Sequence, residues 1–232
     1  MSDVTRAIPD LATPAQHSVE CGIDAWQRSM IFLDVLRQRG NLYLDHARAG
    51  KPPVLAFEYE VVVNGRESPH PANYALARIV PPAGFAATDQ KKRPFVVIDP
   101  RAGHGPGIGG FKMDSEIGIA LRQGHPCYFV FFFPRPEPGQ AIESVARAEV
   151  AFLDRVTQLH PEAEGKPFVI GNCQAGWALL LLLLAASRPE LVGPILLAGS
   201  PVSYWAGVEG KHPMRYTGGM LELASRPDTS VH

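Results

Sequence analysis

The stretch that most constrains the fold is residues 167–186, which read PFVIGNCQAGWALLLLLLAA. Its apolar start, Phe168, Val169 and Ile170, is too short for a helix and contains β-branched residues, which predicts a buried strand. A tight segment with two glycines follows, and the Ala/Leu-rich run after it, residues 177–186, has a high helix propensity. A strand, a sharp turn and a helix in this order predict a nucleophile elbow, which presents one side chain above a parallel sheet.

The turn is centred on Cys173. In an elbow the strand and the helix pack closely, so the residues two before and two after the central one must be small. Gly171 and Ala175 meet this requirement, and Gly176 gives further room. A cysteine is a strong nucleophile once a base takes its proton, so Cys173 is the candidate catalytic residue. The alternative is that Cys173 is a small core residue at the end of a strand.

The residues around this turn offer oxyanion donors. The N-terminus of the predicted helix stabilises negative charge, and the Gln174 N–H is the natural first donor. A second glycine-rich stretch, residues 103–110 (GHGPGIGG), follows another predicted strand, and the Gly105 N–H is the candidate second donor. The alternative is a flexible connection. The candidate pocket residues are His104, Gly107 and Asn172.

The same glycines admit a rival interpretation. Gly105, Gly107 and Gly110 satisfy the G-x-G-x-x-G pattern of a dinucleotide-binding turn, and Glu137 lies beyond the next predicted strand. In a true fingerprint the strand, turn and helix are nearly contiguous, whereas here the next predicted helix begins only near Asp114. A Rossmann-like nucleotide-binding protein therefore stays as an alternative.

The rest of the chain predicts two parts, residues 1–50 and residues 51–232. In the first, a polar arm over residues 1–20 precedes an amphipathic helix over about residues 23–46. We expect its apolar residues, which recur at helical spacing, to pack on the domain or on a partner. In the second, two strands over residues 53–63 and 74–80 form an antiparallel pair. Alternating strands and helices follow: strands at residues 95–98, 127–133 and 193–198, helices at residues 114–123 and 140–160, and the elbow unit.

This alternation predicts an α/β fold of the α/β-hydrolase type, with a mostly parallel sheet and helices on both faces. The histidines after Cys173 are His212 and His232, and the aspartate after it is Asp228. A hydrolase-fold triad runs nucleophile, acid, histidine, with the last two on loops after later strands. The tail is too short for two more strands, so we expect an incomplete C-terminal sheet edge and no appreciable turnover by this chain alone. The chain is then either the N-terminal part of a longer protein or a degenerate relative of the hydrolase-fold enzymes.

Composition excludes several classes of function. The formal net charge is −1 with 19% charged residues, which gives no reason to expect a nucleic-acid partner. Three widely spaced cysteines without a C-x-x-C predict neither disulfides nor a metal site, and no cofactor is expected. The polar N-terminus is not a signal peptide, and the most apolar run is too short to span a bilayer. We expect a cytoplasmic protein.

Three segments carry a family resemblance: residues 99–112 (DPRAGHGPGIGGFK), 171–178 (GNCQAGWA) and 196–207 (LLAGSPVSYWAG). They resemble the uncharacterised 3-hydroxyalkanoate synthetase-like bacterial proteins. The turn resembles the G-x-C-x-G-G box of the polyhydroxyalkanoate synthases, with Ala175 in place of the first glycine of the final pair.

The resemblance implies a Cys-nucleophile acyltransferase that uses 3-hydroxyacyl-CoA, and it implies association with polyester granules. Self-association is expected for a separate reason, because the uncovered sheet edge and helix faces would expose apolar surface. The alternatives are a thioesterase or hydrolase of the same fold, the Rossmann-like protein described above, and a non-catalytic interaction module.

Overall fold

The computed structural model describes residues 12–101, 105, 107–185, 188–200 and 202, with side chains for all of these except 12–14 and 180–185. The chain divides into two compact units, Met1–Gly50 and Lys51–His232.

The first unit contains one long helix, α1 (Ala12–Arg48). The prediction of a loose arm up to residue 20 is wrong for residues 12–20, which are helical. Pro14 does not prevent this, because it lies in the first turn, where a missing N–H removes no helical hydrogen bond. The apolar side chains at helical spacing are exposed in this chain, among them Trp26 (67%) and Met30 (50%), so their packing on a partner stays a prediction.

The second unit contains a six-stranded sheet. Its strands are β1 (Tyr59–Asn64), β2 (Tyr74–Ile79), β3 (Phe95–Ile98), β4 (Cys127–Phe132), β5 (Phe168–Asn172) and β6 (Ile195–Ala198). Its helices are α2 (Glu116–Arg122), α3 (Ile142–Leu159) and α4 (Gln174–Ala185), with short 3-10 turns at Gly65–Glu67 and Pro189–Leu191.

The strand order is β1-β2-β4-β3-β5-β6. β3 pairs in parallel with β4 and β5, and β6 pairs in parallel with β5. β2 pairs antiparallel with both β1 and β4, so among the described strands only β2 is reversed. This is the mostly parallel sheet with an antiparallel pair at its start that the sequence predicted, and the fold is of the α/β-hydrolase type.

Helices cover both faces of the sheet, as expected. α3 and α4 pack on one face through Phe152, Val156 and Leu179, where alternate strand residues such as Val96 and Tyr128 meet them. α2 packs on the other face through its buried apolar residues, together with the strand residues of opposite orientation. The central strand β4 is buried at every position, so its apolar run shows no alternation.

The predicted strand over residues 53–63 begins later than expected, at Tyr59. The backbone N–H groups of Val54 and Ala56 donate instead to the carbonyl oxygens of Gly105 and Gly110, at 2.8 and 2.9 Å. Residues 52–56 therefore pair with the glycine loop and not with β2. The predicted alternation of buried apolar and exposed polar residues also fails within β1, where Val61 is exposed. The register of the pairing with β2 shifts just after this residue, between Val61 and Val63.

Candidate active site

Cys173 lies between the end of β5 and the start of α4. Its backbone has φ +51°, in the left-handed region that non-glycine residues rarely adopt. Its side chain is exposed. A non-glycine residue in this conformation is held there by its surroundings, and such residues cluster at functional sites. The backbone geometry is that of a nucleophile elbow.

The small residues around Cys173 are required by close packing. A Cβ atom on Gly171 would lie 2.6 Å from the Cα of Gly176. A Cβ atom on Gly176 would lie 2.0 Å from the Oγ of Ser200. Ala175 is buried, at 3% exposure. The strand and the helix therefore pack as closely as the sequence predicted.

Three hydrogen bonds hold the elbow in place. The Cys173 N–H donates to the carbonyl oxygen of Ala198 at 2.8 Å, and the Ser200 hydroxyl donates to the carbonyl oxygen of Gly171 at 3.1 Å. On the other side, the Asn172 side-chain amide donates to the Glu116 carboxylate at 2.8 Å. The turn is thus tied both to the end of β6 and to the first residue of α2. Asn172, a candidate pocket residue, anchors the turn.

Gln174 is the first residue of α4. Among the described residues, no backbone acceptor takes its N–H, as is usual in the first turn of a helix. Within the described part of the chain, this N–H is therefore open to an oxygen that develops negative charge next to Cys173. The role of Gln174 as an oxyanion donor stays a prediction.

The glycine loop differs from expectation. The sequence suggested that its glycines bring the backbone close to a ligand, but they bring it close to residues 52–54. A Cβ atom on Gly105 would lie 2.6 Å from the carbonyl oxygen of Pro52, and one on Gly107 would lie 1.9 Å from that of Val54. The backbones have φ +60° and +68°. These positions need glycine because two stretches of main chain pack together.

Asp99 explains the shape of this loop. Its carboxylate is buried and accepts the N–H groups of Gly107 and Ile108, at 3.2 and 3.0 Å. Burial raises the pKa of Asp99 to about 7, although the two N–H groups act against the rise. The Gly107 N–H is therefore committed to Asp99 and is not available to a substrate.

A cavity of about 740 Å³ lies beside the elbow. Gln174, Trp177 and Ala178 line it from the start of α4, and Ile142 and Val145 line it from α3. Cys173, Gly107 and Asn172 are not among its lining residues, whereas Gln174, the residue after Cys173, is one of them. The volume falls in the range of small-molecule sites, which are mostly apolar with a few polar groups.

Apart from Gln174, the polar groups of this cavity were missed by the sequence interpretation. Arg101 lines the cavity, and its guanidinium donates to the side-chain oxygen of Asn73 at 3.3 Å. Gln140 donates to the same oxygen at 2.7 Å and accepts the Asn73 N–H at 2.8 Å. Asn73 is fully buried, and this network fixes the side chains of the cavity. Only the position of Arg101 within the segment 99–112 could have drawn attention to it.

Two of the described histidines, His125 and His160, lie away from the elbow. His125 precedes β4 and bonds to the carbonyl oxygen of Arg93 at 2.9 Å. His160 contacts the hydroxyl of Tyr128, near the start of β4, at 2.7 Å. Cys173 follows the carboxyl end of β5, and β5 runs parallel to β4. Residues near the start of β4 therefore lie at the opposite end of the strands from Cys173. The other candidates, His104, His212, His232 and Asp228, lie outside the described residues.

The dinucleotide interpretation is wrong. The sheet order differs from the 3-2-1-4-5-6 order of the Rossmann fold, and its first two strands are antiparallel. The N–H groups of Gly107 and Ile108, which would face a pyrophosphate, bind the Asp99 carboxylate instead. α2 begins at Glu116, well after the last glycine of the pattern.

Comparison with known proteins places the chain in a family. A family described as "Protein of unknown function (DUF3141)" matches residues 24–224. The chain belongs to this family. A Rhizobium meliloti relative, described as "Uncharacterized protein in ackA 5'region", is 61% identical to this DUF3141 chain over 199 residues. The matched part covers 86% of this chain and 27% of the relative, so the chain spans about a quarter of that protein's length.

Solved structures of esterases are similar to this DUF3141 chain. An inhibited esterase B from Lactobacillus rhamnosis is 14% identical with a TM-score of 0.41, over 70% of this chain and 53% of that chain. An esterase from Pyrobaculum calidifontis is 20% identical with a TM-score of 0.42, over 79% of this chain and 59% of that chain. Similarities this weak say nothing about the reaction of the DUF3141 chain.

Two further observations concern the described part of the DUF3141 chain. None of its helices combines the length and the apolar character that crossing a membrane requires. It also contains no group of three or more His, Cys, Asp or Glu side chains that could hold a metal ion.

The three cysteines are expected to differ in reactivity. Cys21 and Cys173 are exposed, whereas Cys127 is buried and its pKa is raised to about 12 by burial. Limiting iodoacetamide at neutral pH should therefore label Cys173 and Cys21 and leave Cys127 unmodified, with Cys173 reacting first. Peptide mass spectrometry measures the order, and a sample in denaturant, where all three cysteines should react, is the control. Labelling of Cys127 ahead of Cys173 would contradict the elbow assignment.

Proposed function

We propose that this chain carries the nucleophile of an acyl-transfer site of the α/β-hydrolase type, in which Cys173 becomes acylated. The observation that carries the proposal is the exposed Cys173 side chain on a left-handed backbone, φ +51°, between β5 and α4. An elbow of this kind presents a nucleophile to a carbonyl carbon while the following helix starts beneath it.

In the proposed reaction the Cys173 sulfur attacks the carbonyl carbon of a thioester or ester. Its proton passes to a general base, and the electron pair of the carbonyl bond moves to oxygen, where the Gln174 N–H donates a hydrogen bond to it. Collapse of this intermediate expels the thiol or alcohol of the donor, which takes up a proton, and leaves the acyl group on Cys173. A hydroxyl group or water then attacks the acyl group in the same way and restores the free thiol.

The substrate class rests on the family resemblance. The resemblance of the turn to the polyhydroxyalkanoate synthases favours 3-hydroxyacyl-CoA as donor and the hydroxyl of a growing polyester as acceptor. With water as acceptor the same site is a thioesterase. Association with polyester granules remains a prediction that follows from the same resemblance, and self-association remains a prediction that follows from the expected uncovered sheet edge.

The test is to detect the acyl group on the protein. The purified chain is incubated with 3-hydroxybutyryl-CoA, quenched with acid and digested, and the peptide containing Cys173 is weighed. We expect the mass of one 3-hydroxybutyryl group on that peptide, its loss on treatment with neutral hydroxylamine, and no adduct in Cys173→Ala. An adduct on Cys21 of equal yield would show nonspecific acylation and would contradict the proposal.

Free-thiol detection in the same samples measures turnover. We expect little release of CoA beyond one equivalent from this chain. Sustained turnover that disappears in Cys173→Ala would show that a base within residues 1–232 serves the site, and the expectation of a fragment without turnover would then be wrong. The proposal for Cys173 would stand in that case.

A further inference from the structure

The cavity beside the elbow contains an arginine without a carboxylate partner. Arg101 is exposed, and within the described part of the chain it makes no ion pair. Other arginines of the chain do pair with carboxylates: Arg28 with Asp24, Arg37 with Asp34, Arg48 with Asp45, Arg66 with Glu137, Arg78 with Glu60, Arg122 with Asp114 and Arg188 with Asp154. The acid nearest to Arg101 in the sequence, Asp99, directs its carboxylate to the glycine loop.

The position of Arg101 is fixed by its neighbours. One guanidinium nitrogen donates to the Asn73 oxygen, which Gln140 holds from the other side. The guanidinium also lies over two aromatic rings, 5.2 Å from the ring centre of Phe132 and 5.6 Å from that of Tyr74. Cation–π contacts of this kind, together with the hydrogen bond to Asn73, restrict the orientation of the guanidinium. The side chain is thus prepared to receive a ligand group.

We propose that Arg101 binds an anionic oxygen group of the acyl donor and thereby selects the substrate of the Cys173 site. A guanidinium recognises carboxylate and phosphate oxygens through paired hydrogen bonds. The apolar lining from α3 and α4 takes the chain between the reacting carbonyl and the anion. The anion is either a carboxylate at the far end of the acyl group or a phosphate of the carrier. This inference rests on the proposed nucleophilic role of Cys173.

The experiment compares charged and neutral alkylating reagents at Cys173. Maleimidoacetate, 4-maleimidobutyrate and 6-maleimidohexanoate are each compared with their methyl esters, and the exposed Cys21 in the other unit is the internal reference. We expect one carboxylate of the series to alkylate Cys173 faster than its ester by about tenfold, as one charge-assisted hydrogen bond would give. The chain length that reacts fastest reports the distance from sulfur to guanidinium.

Three variants assign the effect to Arg101. Arg101→Met should abolish the preference for the charged reagent, and Arg101→Lys should retain part of it. Arg122→Met is the matched control, because Arg122 also lies over an aromatic ring, 5.5 Å from that of Phe85, but lies outside the cavity lining. It should leave the preference unchanged. Circular dichroism of each variant shows whether it is folded.

Competition distinguishes the two sources of the anion. Hexanoate is compared with hexanamide, and S-methyl-4'-phosphopantetheine with S-methylpantetheine, because a free thiol in the competitor would itself consume the maleimide. If hexanoate alone slows the labelling of Cys173 by the maleimides, the anion is a carboxylate at the end of the acyl chain. If the phosphopantetheine compound alone slows it, the anion is a phosphate of the carrier. Equal rates for every acid and ester, or a preference that survives in Arg101→Met, would overturn the proposal. If instead neutral maleimides label Cys173 no faster than Cys127, the proposed nucleophile itself fails.

Discussion

Replacing Gly107 by alanine is expected to lower the free energy of unfolding by about 3–5 kcal/mol, one of the largest effects of a single methyl group. The added Cβ atom would lie 1.9 Å from the carbonyl oxygen of Val54 and 2.6 Å from its carbon. Both are backbone atoms, so no side-chain rotation can relieve the overlap. Separation of the two main-chain stretches would also take the Gly107 N–H away from the buried Asp99 carboxylate.

Gly139→Ala is the matched control for this change. Gly139 has a similar left-handed backbone, φ +75°, but an added Cβ atom there would meet nothing within 4 Å. It should therefore lose only the conformational advantage of glycine, about 1–2 kcal/mol. Urea denaturation followed by circular dichroism measures both. Equal losses in the two variants would show that backbone strain alone, and not the contact with Val54, makes Gly107 necessary.

The stability of the protein is expected to fall by several kcal/mol as the pH rises from about 5 to about 9. Burial raises the pKa of Asp99 from 3.8 to about 7 and that of Glu149 from 4.5 to about 8. Between the ordinary and the raised values, the folded protein holds protons that the unfolded chain has released. The contribution of these two groups to stability is therefore greatest below their ordinary pKa values and decreases until the raised values are passed.

Glu149→Gln isolates one of these groups. Glu149 is buried on α3 with a 3% exposed side chain, and the amide is neutral at every pH. The variant should lose part of the pH dependence, and it should be more stable than the wild type near pH 9. Glu143→Gln, on the same helix and exposed, is the control that should follow the wild-type curve. Unfolding by urea at a series of pH values measures this, and parallel curves for wild type and Glu149→Gln would contradict the assignment.

The sequence predicted the parallel part of the sheet because buried parallel strands are short apolar runs between clear breaks. β3 has the predicted limits, and β4, β5 and β6 differ from prediction by one or two residues. The elbow was predictable for a related reason, since close packing of strand and helix restricts several neighbouring positions to small residues. Gly171 and Gly176 satisfy that restriction in the sequence, and the structure shows the contacts that demand it.

Features that depend on contacts between distant segments could not be predicted. The pairing of residues 52–56 with the glycine loop is one, because the alternation of apolar residues there is equally typical of a strand. The role of Asp99 is another, since a single aspartate after a strand gives no sign that it will bind loop N–H groups. Arg101 in the cavity is a third. Its importance comes from Asn73, Tyr74 and Phe132, which lie far from it in the chain.

The left-handed backbone at Cys173 restricts which amino acids can replace it. Serine and alanine add no branch at Cβ and can occupy φ +51° at a similar energetic cost, so exchange of sulfur for oxygen is open to this turn in evolution and in engineering. Threonine and valine carry a second substituent on Cβ, which makes this conformation a genuine outlier for them. The choice of nucleophile in this protein is therefore limited first by backbone shape and only afterwards by chemistry.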